Sequence, residues 1–574
     1  MRNTYYALAS SACLALAPGL YAQSLPGIPS SADSGRVSKQ LDIPLNTGPR
    51  AEPELSDESS IQYAPKNADK ITFRLKKMTL SGNHAYKAGE LDIYFARYMG
   101  KTISLLDIYK ISDKINLRYR QDGYLLTRVV VPPQNIRNGH VTIRVIEGRL
   151  NKIYINTNGK ISIKKARMLK RFAKRLEHKR HLKQSQLERV LRLINQLPGV
   201  TARAIIMPSP DTFGGADLFI TAQRKRFNAV ASFDNRGNRY IGPLQVSLGG
   251  TWNGVFDDAD SLGVRLNSTL ADKELRAGRL DYQRMLNTNG LTLALSARSQ
   301  KTRPGYVLKD FDVKGSDTSL SAKLSYPLTL GMQNNTTIYA SLEARDIKTE
   351  VLGTTLTQDH LRVARIGVDM QNRDTLMGEQ KPAMNNLNVE VSRGIKGFGA
   401  SKKGRSSSQP EAPANFNKIT ASISREQSLN KTHNLTAFLA ATAQYSPNAL
   451  LSAESFGVGG ESFGSAYDSS EITGDIGYAV RAEARYLVIP KTQTAFIQAA
   501  QPYAFVDYGK VHSRTPSLGQ KNESSIASTG IGLRANLNGG FSMGVEVAQP
   551  LTKHVATMGR SKSPRVFFKI TKTF

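Results

Sequence analysis

Residues 459–486 read GGESFGSAYDSSEITGDIGYAVRAEARY, and their side-chain order decides the fold. From Val480 onward the chain alternates with a period of two. Arg481, Glu483 and Arg485 fall on one face, and Val480, Ala482, Ala484 and Tyr486 on the other. A strand of a soluble sandwich also alternates, but it hides its apolar face and exposes the polar one. A membrane barrel turns the apolar face to lipid and lines a wet lumen with the polar one. Three charges in mid-strand favour the barrel, because a lumen hydrates them while a small core would desolvate them. The segment just before, rich in Gly, Ser and aromatic residues, has the composition of a loop packed into something.

Outward from this strand the pattern repeats. Runs such as 244–252, 261–268, 291–297, 337–343, 388–391 and 435–443 alternate, as do 503–511, 531–537 and 541–547. Residues 226–574 number 349 (574 minus 225). At about 22 residues per strand and connection they predict about sixteen antiparallel strands, an even number as bacterial barrels require. Residues 398–417, with Lys402, Lys403 and Arg405, form a predicted long extracellular loop. In the final run Val566, Phe568, Ile570 and Phe574 share one face. Arg565, Lys569, Thr571 and Thr573 share the other, with Phe567 and Lys572 as exceptions. A terminal aromatic, Phe574, on a last alternating strand is what outer-membrane barrels commonly present to their assembly machinery. A large soluble β protein is the competing reading.

Upstream, two small α+β units repeat one plan, at 71–148 and 149–225. In the first, Ser104 caps a predicted helix with Asp107 in its first turn and Ile108, Ile111 and Ile115 on one stripe. Gly123 stops it, and two β-rich runs follow, 124–131 and 140–147. In the second, a short strand at 153–155 precedes a basic helix at 163–175 and an amphipathic helix at 184–197. Pro198-Gly199 ends that helix before strands at 200–207 and 216–221. Residues 23–69 read largely as linker, with a candidate short helix from Ser31 or Asp33. Residues 1–22 read as a secretory signal: Arg2, then an apolar stretch, then a cleavage site after Ala22.

Composition narrows the function classes. No run approaches the roughly 20 apolar residues of a spanning helix, so insertion, if any, is by strands. Cys13 is the only cysteine and lies in the predicted signal, which rules out a disulfide scaffold or thiolate site in a mature chain. The net charge of +32 raises the question of nucleic acid. Residues 151–206 carry 15 Lys and Arg against Glu177 and Glu188, a local +13, but no nucleic-acid-binding signature accompanies them. Such a surface equally suits lipid phosphates or an acidic polypeptide. Gly100-Lys101-Thr102 is a fragment of a phosphate-binding loop with Phe95 where its first glycine belongs. The G-x-S-x-G string at 460–464 is followed by a strand, not the helix that a nucleophile elbow needs. No cofactor, metal site or catalysis is therefore expected.

The order of these parts resembles the two-partner secretion transporters, the TpsB-type haemolysin secretion/activation family. Ser31-Ala-Asp-Ser-Gly-Arg36 resembles the start of that family's plug helix, and the two α+β units resemble its POTRA domains. Residues 227–242, FNAVASFDNRGNRYIG, resemble its first barrel strand and turn. The segment Phe463, Gly464, Ser465, Ala466 and Tyr467 resembles the loop that folds back into the lumen. Phe505, Asp507 and Gly509 match the F-x-D-x-G strand that meets this loop. The family loop usually carries an arginine that pairs with the strand aspartate. With Tyr467 setting the register Ser465 stands in its place; counting forward from Ser462 puts Gly464 there, and neither register supplies an arginine. A serine cannot form the bidentate, charge-assisted fork. Arg481 or Arg485 is therefore expected to neutralise Asp507, with Tyr467 and backbone contacts holding the loop.

The resemblance implies an outer-membrane translocator whose POTRA domains capture a partly unfolded exoprotein in the periplasm. Open sheet edges would take the passenger by β-augmentation. The lumen would conduct it outward, for haemolysin- or adhesin-type passengers. Lys164, Lys165, Arg171 and Arg175 are candidates for steering passenger or outer-membrane lipid, and the barrel assembly machinery is an expected partner. The alternatives are an outer-membrane assembly factor and a passive or haem-linked uptake pore.

Overall fold

The computed structural model describes residues 29–40, 55–57, 63–156, 163–177, 181–212, 214–270, 273–404, 406–490, 496–516, 521–559 and 561–574. The predicted signal, 1–22, lies outside them. Sixteen antiparallel strands, from Phe227–Asp234 to Arg565–Thr573, close into a barrel. The first and last strands pair from Val230 opposite Thr573 to Asp234 opposite Lys569. Closure satisfies every strand edge, which a lipid environment demands because it offers the backbone no hydrogen bonds. The outward positions are apolar and exposed, among them Leu266, Leu320, Ile366, Leu439, Val506 and Ile531. The inward positions include Arg265, Asp317, Arg345, Arg481, Glu483, Asp507 and Glu546, all buried within the bore. No helix among the described residues is long and apolar enough to cross a membrane; the strands cross it.

The period-two reading of 480–486 describes the strand Ile476–Tyr486, where Arg481 and Glu483 are buried and Tyr478, Val480 and Tyr486 face outward. Phe567, an exception to the alternation on sequence grounds, is a lumen residue. It joins the apolar cluster under the inward loop, with the guanidiniums of Arg236 and Arg565 stacked 4.0 and 4.9 Å from its ring centroid. An aromatic ring faces the wet side here because cations cover it.

Near the N-terminus a 3₁₀ turn at Ser30–Ala32 leads into α1 (Ser34–Gln40), slightly later than either predicted start. In the first α+β unit, α2 (Leu105–Gln121) opens with a full capping box between Ser104 and Asp107. Its Ile108, Ile111, Ile115 and Tyr119 are wholly buried against the sheet of Lys77–Ser81, Arg128–Val130 and His140–Ile146. Gly123 ends the helix region at φ 87°, a conformation that suits glycine.

In the second unit, α3 (Ile163–Ala173) and α4 (Gln184–Asn195) pack on strands Arg149–Asn156, Val200–Pro208 and Gly215–Arg224. One expectation fails here. Residues 23–69 are more than linker, because Leu55–Asp57 adds a parallel strand to the edge of this sheet beside Val200–Pro208. Pattern reading misses a three-residue strand, since its pairing comes from the neighbouring edge and not from its own periodicity. That edge is accordingly occupied rather than open.

The second unit also docks on the barrel. Arg189 donates to the carbonyls of Pro327 (3.0 Å) and Leu328 (3.1 Å), and the Met332 amide donates to Glu188 (3.3 Å). Ala259, Met285 and Leu330 of the barrel join its apolar core. Arg175, expected on a steering face, bonds the barrel turn at Thr288 and Asn289. The basic block therefore serves docking in part. Arg171 is exposed, and the side chains of Lys164 and Lys165 lie outside the described residues.

Candidate functional site

The connection 446–475 enters the bore from the end opposite the α+β units. A short hairpin, Phe456–Val458 with Ile472–Gly474, forms its stem. Its tip folds on glycines: Gly459, Gly460 and Gly464 have φ of 126, 96 and 79°, which only glycine adopts readily. The Gly459 amide bonds Phe463 O (2.9 Å) and the Tyr467 amide bonds Gly464 O (2.8 Å). The string 460–464 is thus a tight turn within the loop.

Ser465 is wholly buried at the centre of the contact with the barrel wall. Its amide donates to Asp507 Oδ2 at 3.1 Å, and its hydroxyl accepts from Arg481. Arg481 Nη1 lies 3.2 Å from Asp507 Oδ2, its Nε 2.6 Å from Glu483 and its Nη2 3.5 Å from Glu546. Its guanidinium also stacks on Phe505 at 4.1 Å. Ser528 donates its hydroxyl to the second oxygen of Asp507 and accepts from the Ala466 amide (3.4 Å).

A cation rooted in the barrel wall therefore meets Asp507. Asp507 and Arg481 are directly opposite each other on neighbouring strands, Ile476–Tyr486 and Ile497–His512. A guanidinium rooted in one strand reaches the other with little loss of side-chain freedom. Arg485 is occupied elsewhere, with Glu483 and Glu426 each at 2.7 Å and Phe438 under its guanidinium at 3.9 Å.

Tyr467 reaches across to residues 551–564: the amides of Thr552 (3.3 Å) and Lys553 (3.1 Å) donate to its hydroxyl. Gly509 allows the loop stem to approach the wall, since a Cβ there would stand 2.5 Å from Val458 Cγ1. Phe574 is exposed at the opposite rim of the barrel, and its amide bonds Ala229 O at 2.9 Å.

Several residues at this site escape sequence reasoning. Arg565 donates to Ala466 O (3.0 Å) and to Asp468 (2.9 Å), and Arg236 to Ser465 O (3.4 Å) and Glu546 (2.8 Å). The charges of the last strand's inward face were the available signal for Arg565. Ser528 gave none.

The helix α1 also lies within the bore. Arg36, wholly buried, donates to Ser452 O (3.0 Å), to Ser455 O and to Ser470 Oγ (3.2 Å) in the inward loop. On the opposite side Arg345 Nη2 donates to Gly35 O at 2.7 Å, Gln300 to Ser34 O at 3.0 Å and Asn238 to Ser31 O at 3.0 Å. Val37 packs with Tyr240, Ile241, Leu275 and Leu308. The helix thus links loop and wall.

Sixteen strands closed around an inward loop and a helix, behind two α+β units of which the second docks at one rim, define a POTRA-bearing barrel transporter. Residues 73–148 match the model of the ShlB-type POTRA domain. Residues 214–535 match that of the haemolysin secretion/activation proteins ShlB/FhaC/HecB, and the chain belongs to this family. It is a two-partner secretion transporter of the outer membrane, its POTRA domains lie in the periplasm, and transporters of this type work with a secreted exoprotein.

The heme/hemopexin transporter protein HuxB of Haemophilus influenzae (strain 86-028NP) is 24% identical over 97% of this chain and 97% of its own. The outer membrane transporter CdiB of Dickeya dadantii is 24% identical over 71% and 72%. The solved structure of CdiB from Escherichia coli has the same fold, with a TM-score of 0.69 at 19% identity over 94% of this chain and 95% of that one. CdiB from Acinetobacter baumannii follows at 0.60 and 18% identity, over 94% and 96%.

Proposed function

We propose that the chain captures a partly unfolded exoprotein on its POTRA domains and passes it outward through the bore once α1 and the loop tip yield. The observation that carries this is a cavity of about 860 Å³. It runs from Arg192, Asn195 and Gln196, at the end of α4, along Asn335, Thr337, Asn388 and Thr442 of the wall to Phe463 at the loop tip. Beside Arg192, Asp369 and Arg373, neutral amides and hydroxyls along it offer hydrogen bonds to an extended backbone. A second cavity of about 740 Å³ beside it is walled by Arg481, Glu483, Arg485, Arg534 and Glu546.

Haemolysin- or adhesin-type exoproteins are the passengers this architecture serves. The similarity to a heme/hemopexin transporter favours, as a second reading, a passenger engaged in haem acquisition. Lys164, Lys165 and Arg171 on α3 steer passenger or lipid head groups, and Phe574 is recognised by the barrel assembly machinery.

The test compares culture media with and without the chain by mass spectrometry. It adds a photoreactive residue at position 388. Loss of one large exoprotein from the medium, and its crosslinking from position 388 during export, is the expected result. An unchanged medium refutes the reading, and the identity of the lost protein decides between the passenger types.

A further inference from the structure

The barrel rim opposite the POTRA domains carries two cations on its lipid side that no carboxylate neutralises. The strand Leu275–Met285 runs from that rim to the turn at Thr288 and Asn289, which Arg175 holds at the periplasmic end. Arg276 and Arg284 lie on its outward face. Eight steps of about 3.4 Å, tilted by about 45°, set them about 19 Å apart along the barrel axis, at the two edges of an apolar band about 25 Å tall. Arg284 meets Asp257 at 2.7 Å. Arg276 instead stands directly opposite Lys301 of the neighbouring strand Thr292–Thr302. Both are exposed, and neither side chain has an acidic partner among the described residues.

Like charges directly opposite each other destabilise a sheet, and charge on a barrel's lipid face is costly in itself. At other places on this rim the cost is offset within the chain: Lys314, Lys348, Arg362 and Lys510 each have a carboxylate within 2.8 Å. Glu274, the described acid nearest to Arg276 in sequence, turns its carboxylate toward Gly242 and Gly305. Below the pair the wall recedes. The next register row toward the membrane interior reads Leu266, Gly278 and Ser299, and the row after it Val264, Leu280, Ala297 and Leu320. A groove of about 440 Å³ opens at Gly278, directly beneath the two cations. A Cβ on this glycine would meet only Leu266 Cδ2, at 3.7 Å.

We propose that this face binds a phosphorylated glycolipid of the outer leaflet. Its phosphate lies between Arg276 and Lys301, its sugar fills the groove over Gly278 beside the Ser299 hydroxyl, and its acyl chains run along Leu266, Leu280 and Leu320. Arginine offers phosphate a planar fork and lysine a point charge, so the two can share one phosphate. A glycerophospholipid brings the phosphate and the acyl chains but no sugar ring, so the groove favours the glycolipid. The inference adds a lipid site to the transporter and does not depend on which passenger it carries.

The test uses the full chain, purified in detergent and stripped of bacterial lipid, and measures affinity from the rise in unfolding temperature with added ligand. Lipopolysaccharide, phosphatidylglycerol and inorganic phosphate are compared at equal phosphate concentration. Lipopolysaccharide is expected to bind at least tenfold more tightly than the other two. Arg276→Gln combined with Lys301→Gln should weaken it at least tenfold. Gly278→Val keeps both cations, fills the groove and should weaken it likewise. Equal affinity for phosphatidylglycerol would mean unselective boundary lipid, equal affinity for inorganic phosphate a mere anion site, and either overturns the proposal. So does unchanged affinity in either variant. Should the double variant fail to form a barrel, Gly278→Val and the comparison of ligands on the natural chain still decide.

Discussion

Truncating Arg481 to alanine tests the central contact. The side chain touches three carboxylates, but they do not depend on it equally. Glu483 retains Arg485 at 2.7 Å and Arg534 at 3.2 Å. Glu546 retains Arg236 at 2.8 Å and the Tyr503 hydroxyl at 2.7 Å. Asp507, whose side chain has no solvent exposure, is left with only neutral donors, the Ser465 amide and the Ser528 hydroxyl. Removing one partner of a buried pair costs about 3–5 kcal/mol. The loop relieves that cost by leaving and letting water reach Asp507. At about 1.4 kcal/mol per decade, even the lower figure raises the undocked population roughly a hundredfold.

A cysteine at position 466, wholly buried when the loop is docked, reads this as a thiol-labelling rate. The expected result is labelling accelerated roughly a hundredfold in Arg481→Ala. An increase below tenfold would refute the view that Arg481 anchors the loop. A swap sharpens the test: Ser465→Arg alone introduces a second guanidinium into a filled site and should undock the loop. Combined with Arg481→Ser, it should dock again.

Arg36→Ala removes three donated bonds from the helix–loop junction, and in planar bilayers it should raise the frequency of channel opening roughly tenfold or more. Gly509→Ala drives a methyl against Val458 and should cost about 1–3 kcal/mol, seen as earlier thermal unfolding of the barrel in detergent. Asp107 has a pKa below its usual value, because first the Ser104 amide and then the Ser104 hydroxyl donate to its carboxylate. Its contribution to α2 is therefore complete above the ordinary aspartate value of about 3.9 and is lost as pH falls through the lower folded value. Hydrogen exchange in the first turn of α2 should accelerate only below about pH 4, and Asp107→Asn should abolish that dependence.

The barrel was legible because its physics is periodic. Residues 480–486 announce two environments in seven positions, and sixteen strands follow from length alone. The helix cap at Ser104 was equally local. What could not be read depends on partners distant in sequence. Arg36 finds its acceptors more than 400 positions away, in a loop whose course no local pattern encodes. Leu55–Asp57 becomes a strand because an edge is there to receive it. Phe567 broke the pattern because Arg236, a cation some 330 positions away, was not yet in place beside it. The substitution of Arg481 for a loop arginine stood in between. Alternation put it on the right face, whereas its choice over Arg485 depended on cross-strand register.

The acceptors of Arg36 carry one more consequence. Two of its three contacts are main-chain carbonyls, at Ser452 and Ser455, which every amino acid supplies. Mutational drift at those two positions leaves the acceptors in place as long as the backbone trace is kept. Among descendants of this gene, the arginine can stay fixed while its neighbours vary, and no paired substitutions need betray the latch.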